Sequence, residues 1–305
     1  MNSILLSRFV FQMRRIIEMK ILVIGGTRFI GKHLVSELLS KDHEVTIATR
    51  GLTPDVFGDS VRRIRFDRTD RKSVEESLAN ISFDVVYDNI NYSPTDTESI
   101  LDCIKTNRYI FTSSSAVYSG GIGLREDAFD PYHYLIRMGR RSDFGYSEGK
   151  RLCESVLFQN YKIEAVAVRF PVVIGRDDYT QRLYSYVERT ALGEAMYLDN
   201  PDARFSMIES TQAGAFLAFL ADRKETGQIN ASAGGDISVS EMVRMIEKIV
   251  ERKAILDKDG NPGEFNGYSN NVLDTSKAHA MGFKFDPLKK RLRELLITYA
   301  GEFPK

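Results

Sequence analysis

The stretch Lys20-Ile-Leu-Val-Ile-Gly25-Gly-Thr-Arg-Phe-Ile-Gly31 decides how the rest of the chain is read. Lys20 to Ile24 is a short, β-branched apolar run, too short for a typical helix, and predicts a buried strand. A glycine-rich turn follows, and the pattern from Phe29 to Ser40 predicts a helix. Gly25 and Gly26 allow a tight turn and a close approach of backbone to a ligand; Gly31 lets the helix sit close on the strand. The helix N-terminus then offers free N–H groups and the positive end of a dipole, which suits a pyrophosphate. Glycines also simply punctuate such turns, so the motif needs its context.

That context is an alternation of strands and helices. Further strands are expected at Glu44–Thr49, Arg62–Phe66, Phe83–Tyr87, Tyr109–Thr112 and Ile163–Arg169. Helices are expected at Asp70–Asn80, with Asp70 as N-cap, at Pro94–Lys105 and at Tyr146–Tyr161. This order implies right-handed crossovers and an α/β doubly wound parallel sheet, covered on both faces. Ligands of such sheets bind outside the carboxyl ends of the strands. The glycine turn, Thr49-Arg50, Asp67, Asp88-Asn89 and Ser113–Ser115 all follow strands and so fall on that edge.

After Pro171 the texture changes. Helices are expected at Gln181–Leu192 and Thr211–Asp222, and Gln228–Ala231 reads as a last strand returning to the sheet. Ser238-Val-Ser-Glu241 fits a capping box opening a helix. The 257–271 region reads as an exposed polar loop, with helices to follow from Asp274 and from Leu288. The domain reading is a nucleotide-binding unit over 19–171, with 209–231 returning to it, and a smaller, mostly helical lobe over 172–305.

Composition bounds the function. The chain has 305 residues, 43% hydrophobic and 28% charged, with zero formal net charge. Nothing here suggests a generic electrostatic grip on nucleic acid or an anionic membrane. Cys103 and Cys153 read as reduced thiols in helices, and the four histidines form no metal-ligand pattern. No stretch is apolar enough for a membrane span, and a cytoplasmic location is the expectation. Residues 1–18 read as an extension ahead of the fold, because Met19-Lys20 opens directly into the first strand. Three readings stay open: a start-site artefact with Met19 the true start, an amphipathic extension, or a targeting peptide.

The motifs Ser113-Ser-Ser-Ala-Val-Tyr118 and Tyr146-Ser-Glu-Gly-Lys150, together with the glycine turn, are specific. A bare Tyr-x-x-x-Lys pair is also an ordinary neighbour pair on a helix, so the combination carries the weight. With it the chain, over roughly residues 19–300, resembles the extended short-chain dehydrogenase/reductases of the NAD-dependent epimerase/dehydratase family. The resemblance implies a Rossmann-type domain and NADP or NAD as cofactor. It implies catalysis by Ser114, Tyr146 and Lys150, with the lysine cation beside the phenol and an oxidised nicotinamide favouring phenolate. Cofactor contacts are expected from Gly25, Thr27, Arg28, Phe29, Ile30, Gly31, Arg50, Asp67, Asn89, Tyr146 and Lys150. The family also implies a homodimer paired through the helices near Pro94–Lys105 and Tyr146–Tyr161.

Departures from the family pattern refine this. Arg28 stands where the turn usually has its middle glycine, a variant similar to an atypical branch that includes chloroplast stem-loop-binding proteins. Arg50, not an acid, ends the second strand; with Arg28 it gives a 2′-phosphate two partners and favours NADP. Ser115-Ala116 replace the Asp-Glu pair of sugar-nucleotide dehydratases, so an acid for expelling water is missing. The partner is a small molecule, plausibly a sugar or nucleotide sugar, with Ser115, Arg182 and Arg204 as candidate substrate contacts. The rival reading is a non-catalytic nucleotide-sensing or RNA-binding protein on the same fold.

Overall fold

The fold is described from a computed structural model covering residues 18–304, so the readings of the leader lie outside the described residues except at Glu18. In chain order the first half runs β1 (Lys20–Ile24), α1 (Phe29–Leu39), β2 (Glu44–Thr49), β3 (Arg62–Arg65), α2 (Arg71–Leu78), β4 (Ser82–Asp88), α3 (Pro94–Leu101), β5 (Lys105–Ser114), β6 (Gly121–Leu124), α4 (Tyr146–Asn160) and β7 (Glu164–Phe170). The second half continues with β8 (Val172–Ile174), α5 (Arg182–Leu192), β9 (Ala195–Tyr197), β10 (Arg204–Phe205), β11 (Met207–Glu209), α6 (Ser210–Phe219), β12 (Gly227–Asn230) and β13 (Ile237–Ser238). It closes with α7 (Val239–Val250), β14 (Ile255–Leu256), β15 (Asn261–Pro262), β16 (Asn271–Leu273), α8 (Ser276–Ala280) and α9 (Leu288–Ala300).

Seven strands form one parallel sheet in the order β12-β7-β5-β4-β1-β2-β3. The period-two alternation of β1 sorts its side chains between two cores. Ile21 and Val23 face α1 and α6, where Leu34, Val35, Leu38, Phe216 and Leu217 are buried. Leu22 and Ile24 face the other layer, with Val74 and Leu78 of α2, Ile100 of α3 and Leu157 of α4. Gly214 makes the α1–α6 crossing close: a Cβ there would sit 2.6 Å from the His33 Cβ. His33 Nε2 meets Asp177 Oδ2 at 2.8 Å and the Ser210 hydroxyl donates to Asp177 Oδ1 at 2.7 Å, tying both helices to the loop after β8. A third core belongs to the smaller lobe and joins α5, α7 and α9.

Several boundaries differ from the sequence reading. The helix expected over Pro94–Lys105 stops at Leu101, because Lys105 is already paired with Ser82 at the start of β5. Gly121–Leu124, between the serine run and α4, is a strand. The 257–271 stretch is not simply exposed: β15 pairs with β9, and Phe265 is buried with its ring stacked on Tyr186, centroids 5.5 Å apart. The lobe therefore carries several short strands among its helices. Ala278 and Phe285 return to the core of the large sheet beside α6. Cys103 lies in the turn after α3, not in a helix, and both cysteines are unpaired.

The segment 130–144 covers part of the helices α3 and α4. No residue of α3 is exposed, nor any from Ser147 to Phe158 on α4. The segment 130–144 runs over them: Gln159 Nε2 donates to the Pro131 and Tyr134 carbonyls at 2.7 and 2.8 Å. Tyr134 donates to Glu148 at 2.7 Å, Tyr132 packs on Phe158, and Thr95 bonds the Gly139 carbonyl. These contacts fix the course of the 130–144 segment over α3 and α4.

Beneath the carboxyl edge lies a buried ionic network. Arg169 of β7 and Glu154 of α4 are both fully buried, with Arg169 Nη2 2.6 Å from Glu154 Oε2 and Nε 3.0 Å from Oε1. Ser113 donates to the same carboxylate at 2.5 Å, and Arg169 also donates to Tyr118 and to the Glu126 carbonyl. Removing one member of a buried ion pair leaves the other charge uncompensated, at a cost of about 3–5 kcal/mol. Glu154→Ala is expected to lose that much stability in denaturant unfolding. A double variant, Glu154→Leu with Arg169→Met, should recover a large part of the loss.

Candidate active site

One cleft of about 1250 Å³ runs along the carboxyl edge of the sheet. It gathers the glycine turn, the strand ends after β2, β3 and β4, the serine run after β5, and the start of α4. Tyr179, Arg182, Tyr268 and Asn271 line its far wall.

At the nucleotide end, Gly25 has a φ of +83° and its N–H donates to the Ala48 carbonyl at 3.0 Å. A Cβ on Gly31 would lie 2.0 Å from the Gly25 carbonyl oxygen, so α1 can start this close to β1 only with glycine there. Arg28 replaces a glycine without backbone strain, for its φ of −134° and ψ of 155° are extended. The left-handed angle falls instead on Phe29, at φ +49°, an unusual conformation for a bulky residue. Its ring packs edge-on against Tyr179, centroids 6.0 Å apart. Arg28 occupies the N-cap position but its side chain makes no capping bond; it lines the cleft with Thr27, Ile30 and Arg50.

Asp67 lines the cleft while capping its own loop: Oδ1 accepts from the Thr69 hydroxyl at 2.7 Å and its N–H at 2.9 Å. Those bonds hold its carboxyl below the ordinary carboxylate range. Asn89 Oδ1 accepts from Thr112 at 2.7 Å, which fixes the amide beside the Gly25 carbonyl. Arg68, unanticipated from sequence, is buried against Asp88 through bonds of 2.7 and 3.0 Å, with Tyr109 donating to the same carboxylate at 2.6 Å. A turn opened by two glycines, a helix start and two arginines without carboxylate partners among the described residues fit the phosphates of a dinucleotide.

At the other end the three serines have separate surroundings. Ser113 is committed to Glu154. Ser114 Oγ accepts from the Ala116 N–H at 3.2 Å and keeps its own O–H to donate. Ser115 is buried, its carbonyl taken by Asn271 and Tyr118. Tyr146 opens α4 and stands half-exposed in the cleft, at 54%. Lys150, one turn on, is buried, and its ammonium donates to the Asn91 and Thr112 carbonyls at 2.8 Å each. One of its three N–H groups is left.

The electrostatics describe the free protein. Burial pushes the Tyr146 phenol above its ordinary pKa, with the Ser114 hydroxyl and Arg182 working against it. Lys150 stands 5.9 Å from the phenol ring with two of its donors spent on backbone, and burial pushes its own pKa down. In the free protein, then, burial works against the phenolate, and the lysine does not offset it.

The substrate candidates divide. Arg182 lines the cleft, steadied by the Thr180 hydroxyl at 3.0 Å, and Ser115 lines it too. Arg204 does not: it lies on β10 with its guanidinium held by Asp236 at 2.5 Å and Glu241 at 3.2 Å. Its charge is spent on Asp236 and on Glu241, the acid of the α7 capping box, and the expectation of a substrate contact is corrected. Sequence reasoning missed Tyr92, Arg141 and Tyr268. Tyr92 had a signal, following β4 on the ligand edge; the other two lie in irregular segments with none.

Comparison with known proteins agrees with this geometry. The family model "NAD dependent epimerase/dehydratase family" matches residues 21–228. The chloroplast stem-loop binding protein of 41 kDa b from Arabidopsis thaliana is 30% identical over 231 residues, 70% of this chain; the chain spans 58% of that relative's length. UDP-glucuronic acid decarboxylase 6 from the same plant is 25% identical over 274 residues, 77% of this chain and 75% of the relative. The NAD complex of Thermus thermophilus UDP-glucose 4-epimerase superposes with a TM-score of 0.69 at 19% identity, covering 92% of this chain and 99% of that one. MoeE5, solved with UDP-glucose and NAD, gives 0.69 at 21% identity, covering 93% and 99%. At such identities the two structures speak for the fold, while the family model spans most of the chain and both halves of the cleft's Rossmann wall. The chain belongs to the NAD-dependent epimerase/dehydratase family.

Proposed function

We propose that the protein catalyses reversible, NAD(P)-dependent hydride transfer at a hydroxyl or keto carbon of a nucleotide sugar, as a reductase or epimerase. The observation that carries this reading is that Ser114, Tyr146 and Lys150 meet in one cleft with the glycine turn. The sugar-nucleotide part is supported by relatives and fold neighbours named for UDP-sugars. The backbone of Gly25–Gly31, with Arg28, Arg50, Asp67, Asn89 and Lys150, would hold the dinucleotide, which when bound supplies the hydride acceptor and donor.

The side chains do the rest. Ser114 donates its free O–H to the substrate oxygen. Tyr146, protonated in the free protein, gives that oxygen its proton as a ketone is reduced and takes it back as an alcohol is oxidised. In an epimerase the keto intermediate turns and receives its proton and hydride on the other face. Ser115-Ala116 put no carboxyl beside Ser114, which speaks against loss of water from the substrate.

The test is Tyr146→Phe on the cofactor-loaded protein with a nucleotide-sugar panel. General acid–base catalysis is worth about 10²–10⁴ in rate, and a loss of that size is expected with cofactor affinity intact. Near-normal turnover would reject the mechanism. Because the phenol lies above its ordinary value, reduction should run level through neutral pH and fall only beyond the tyrosine range near about 10. Oxidation should climb with pH over the same span, and Tyr146→Phe should abolish both dependences.

For the cofactor, NADP over NAD is our reading, carried by Arg50 and Arg28. A charge-assisted contact is worth about 1.5–3 kcal/mol. Arg50→Ala is expected to weaken NADP by about tenfold or more and leave NAD nearly unchanged in fluorescence titration; equal wild-type affinities refute the preference.

One observation favours a second reading, a nucleotide-sensing or RNA-binding protein on this fold: the 30% identity to the stem-loop binding protein. RNA binding titrated against salt, beside the cofactor titration, separates the two.

A further inference from the structure

Lys150 is a buried cation that forms no ion pair among the described residues. Gly149 lets it come into place. A Cβ there would lie 2.4 Å from the Tyr92 carbonyl oxygen, so α4 closes on the 91–92 segment only with glycine at that position. The ammonium then reaches the Asn91 and Thr112 carbonyls at 2.8 Å each. Three aromatic rings stand around it, with centroids at 4.6 Å for Tyr92, 4.7 Å for Phe111 and 5.9 Å for Tyr146.

The charges on the surrounding elements do not compensate it. Asp88 of β4 acts on the lysine, but its carboxylate already takes two bonds from Arg68 and one from Tyr109. Asp96 of α3 also turns to Arg68, at 3.8 Å, and accepts the Tyr92 N–H at 3.2 Å. Arg68 is a like charge, and so is Arg141, whose guanidinium lies 4.3 Å from the Tyr92 ring centroid. On α4 itself, burial pushes the Cys153 thiol up to about 12 and raises the Tyr146 phenol, so neither supplies an anion at neutral pH. Burial drives the lysine in the opposite direction, toward its neutral form.

We infer that Tyr92 is the positioning residue of Lys150: its ring face keeps the ammonium charged where water is excluded and no carboxylate is free. A ring face attracts a cation through its quadrupole, and the attraction grows as water is removed. Phe111 is a fully buried core residue of β5, and Tyr146 is the most distant of the three rings. Tyr92, half-buried on the cleft wall, is the member that can be changed without opening the core. The consequence for turnover rests on the hydride-transfer reading above, in which a charged Lys150 helps to hold the dinucleotide. The effect on the lysine itself does not rest on that reading.

The test is a nuclear magnetic resonance titration of the full chain labelled with carbon-13 at lysine Cε, the Lys150 signal being assigned by its absence in Lys150→Met. Tyr92→Leu should lower the Lys150 midpoint by about one pH unit or more, the size of a desolvated cation–π contact. Tyr92→Phe, which keeps the ring, should hold the wild-type midpoint. Lys277, lowered by burial elsewhere, should not move in either variant. Tyr92→Met, also without a ring, serves in place of the leucine variant if that one fails to fold. A Lys150 midpoint unchanged without the ring, or one that falls as far in Tyr92→Phe as in Tyr92→Leu, overturns the inference and leaves the hydride-transfer reading standing. A wild type that turns over nothing on the nucleotide-sugar panel counts against that reading, while a ring-dependent midpoint still carries this one.

Discussion

The fully buried contact between Arg169 and Glu154 is the constraint on which the reaction end of the cleft depends. Taking two charges out of water costs several kcal/mol per ion, and their attraction returns that only when geometry and extra hydrogen bonds are favourable. Both conditions are met: the guanidinium also serves Tyr118 and the carbonyls of Glu126 and Phe129, and the carboxylate takes the Ser113 hydroxyl. The pair joins β7, α4, the end of β5 and the loop beyond it. Its effect is positional more than stabilising. Ser113 is locked downward, and its neighbour Ser114 is left facing the cleft.

The same desolvation acts on the ionisable groups above this network. Burial lowers Lys150 and raises Tyr146, each toward its neutral form. Lys150 is kept charged by carbonyl acceptors and by aromatic faces: Tyr92 at 4.6 Å and Phe111 at 4.7 Å. A site arranged in this way favours a proton on the phenol until an added positive charge arrives.

Much of this was legible in the sequence because local rules and global fold agree. The β1–turn–α1 unit, the strand ends and the capping box at Ser238 follow from periodicity, glycine placement and cap spacing, and the Ser-Tyr-Lys set was what the family resemblance implied. What escaped depends on contacts between distant segments. Nothing near Arg204 announces that Asp236 and Glu241 will claim it. Phe265 sits in a polar stretch, yet Tyr186 and Phe205 draw it into the lobe core. The 130–144 segment has no period at all, and its course is set by partners on α3 and α4.

That segment has a consequence for how the site responds to dilution. The helix carrying Tyr146 and Lys150 is braced by residues of its own chain, at an effective concentration set by a short tether and not by protein concentration. Bracing by a second subunit would fade by mass action as the protein is diluted. Here the helix that carries Tyr146 and Lys150 keeps these contacts at any concentration.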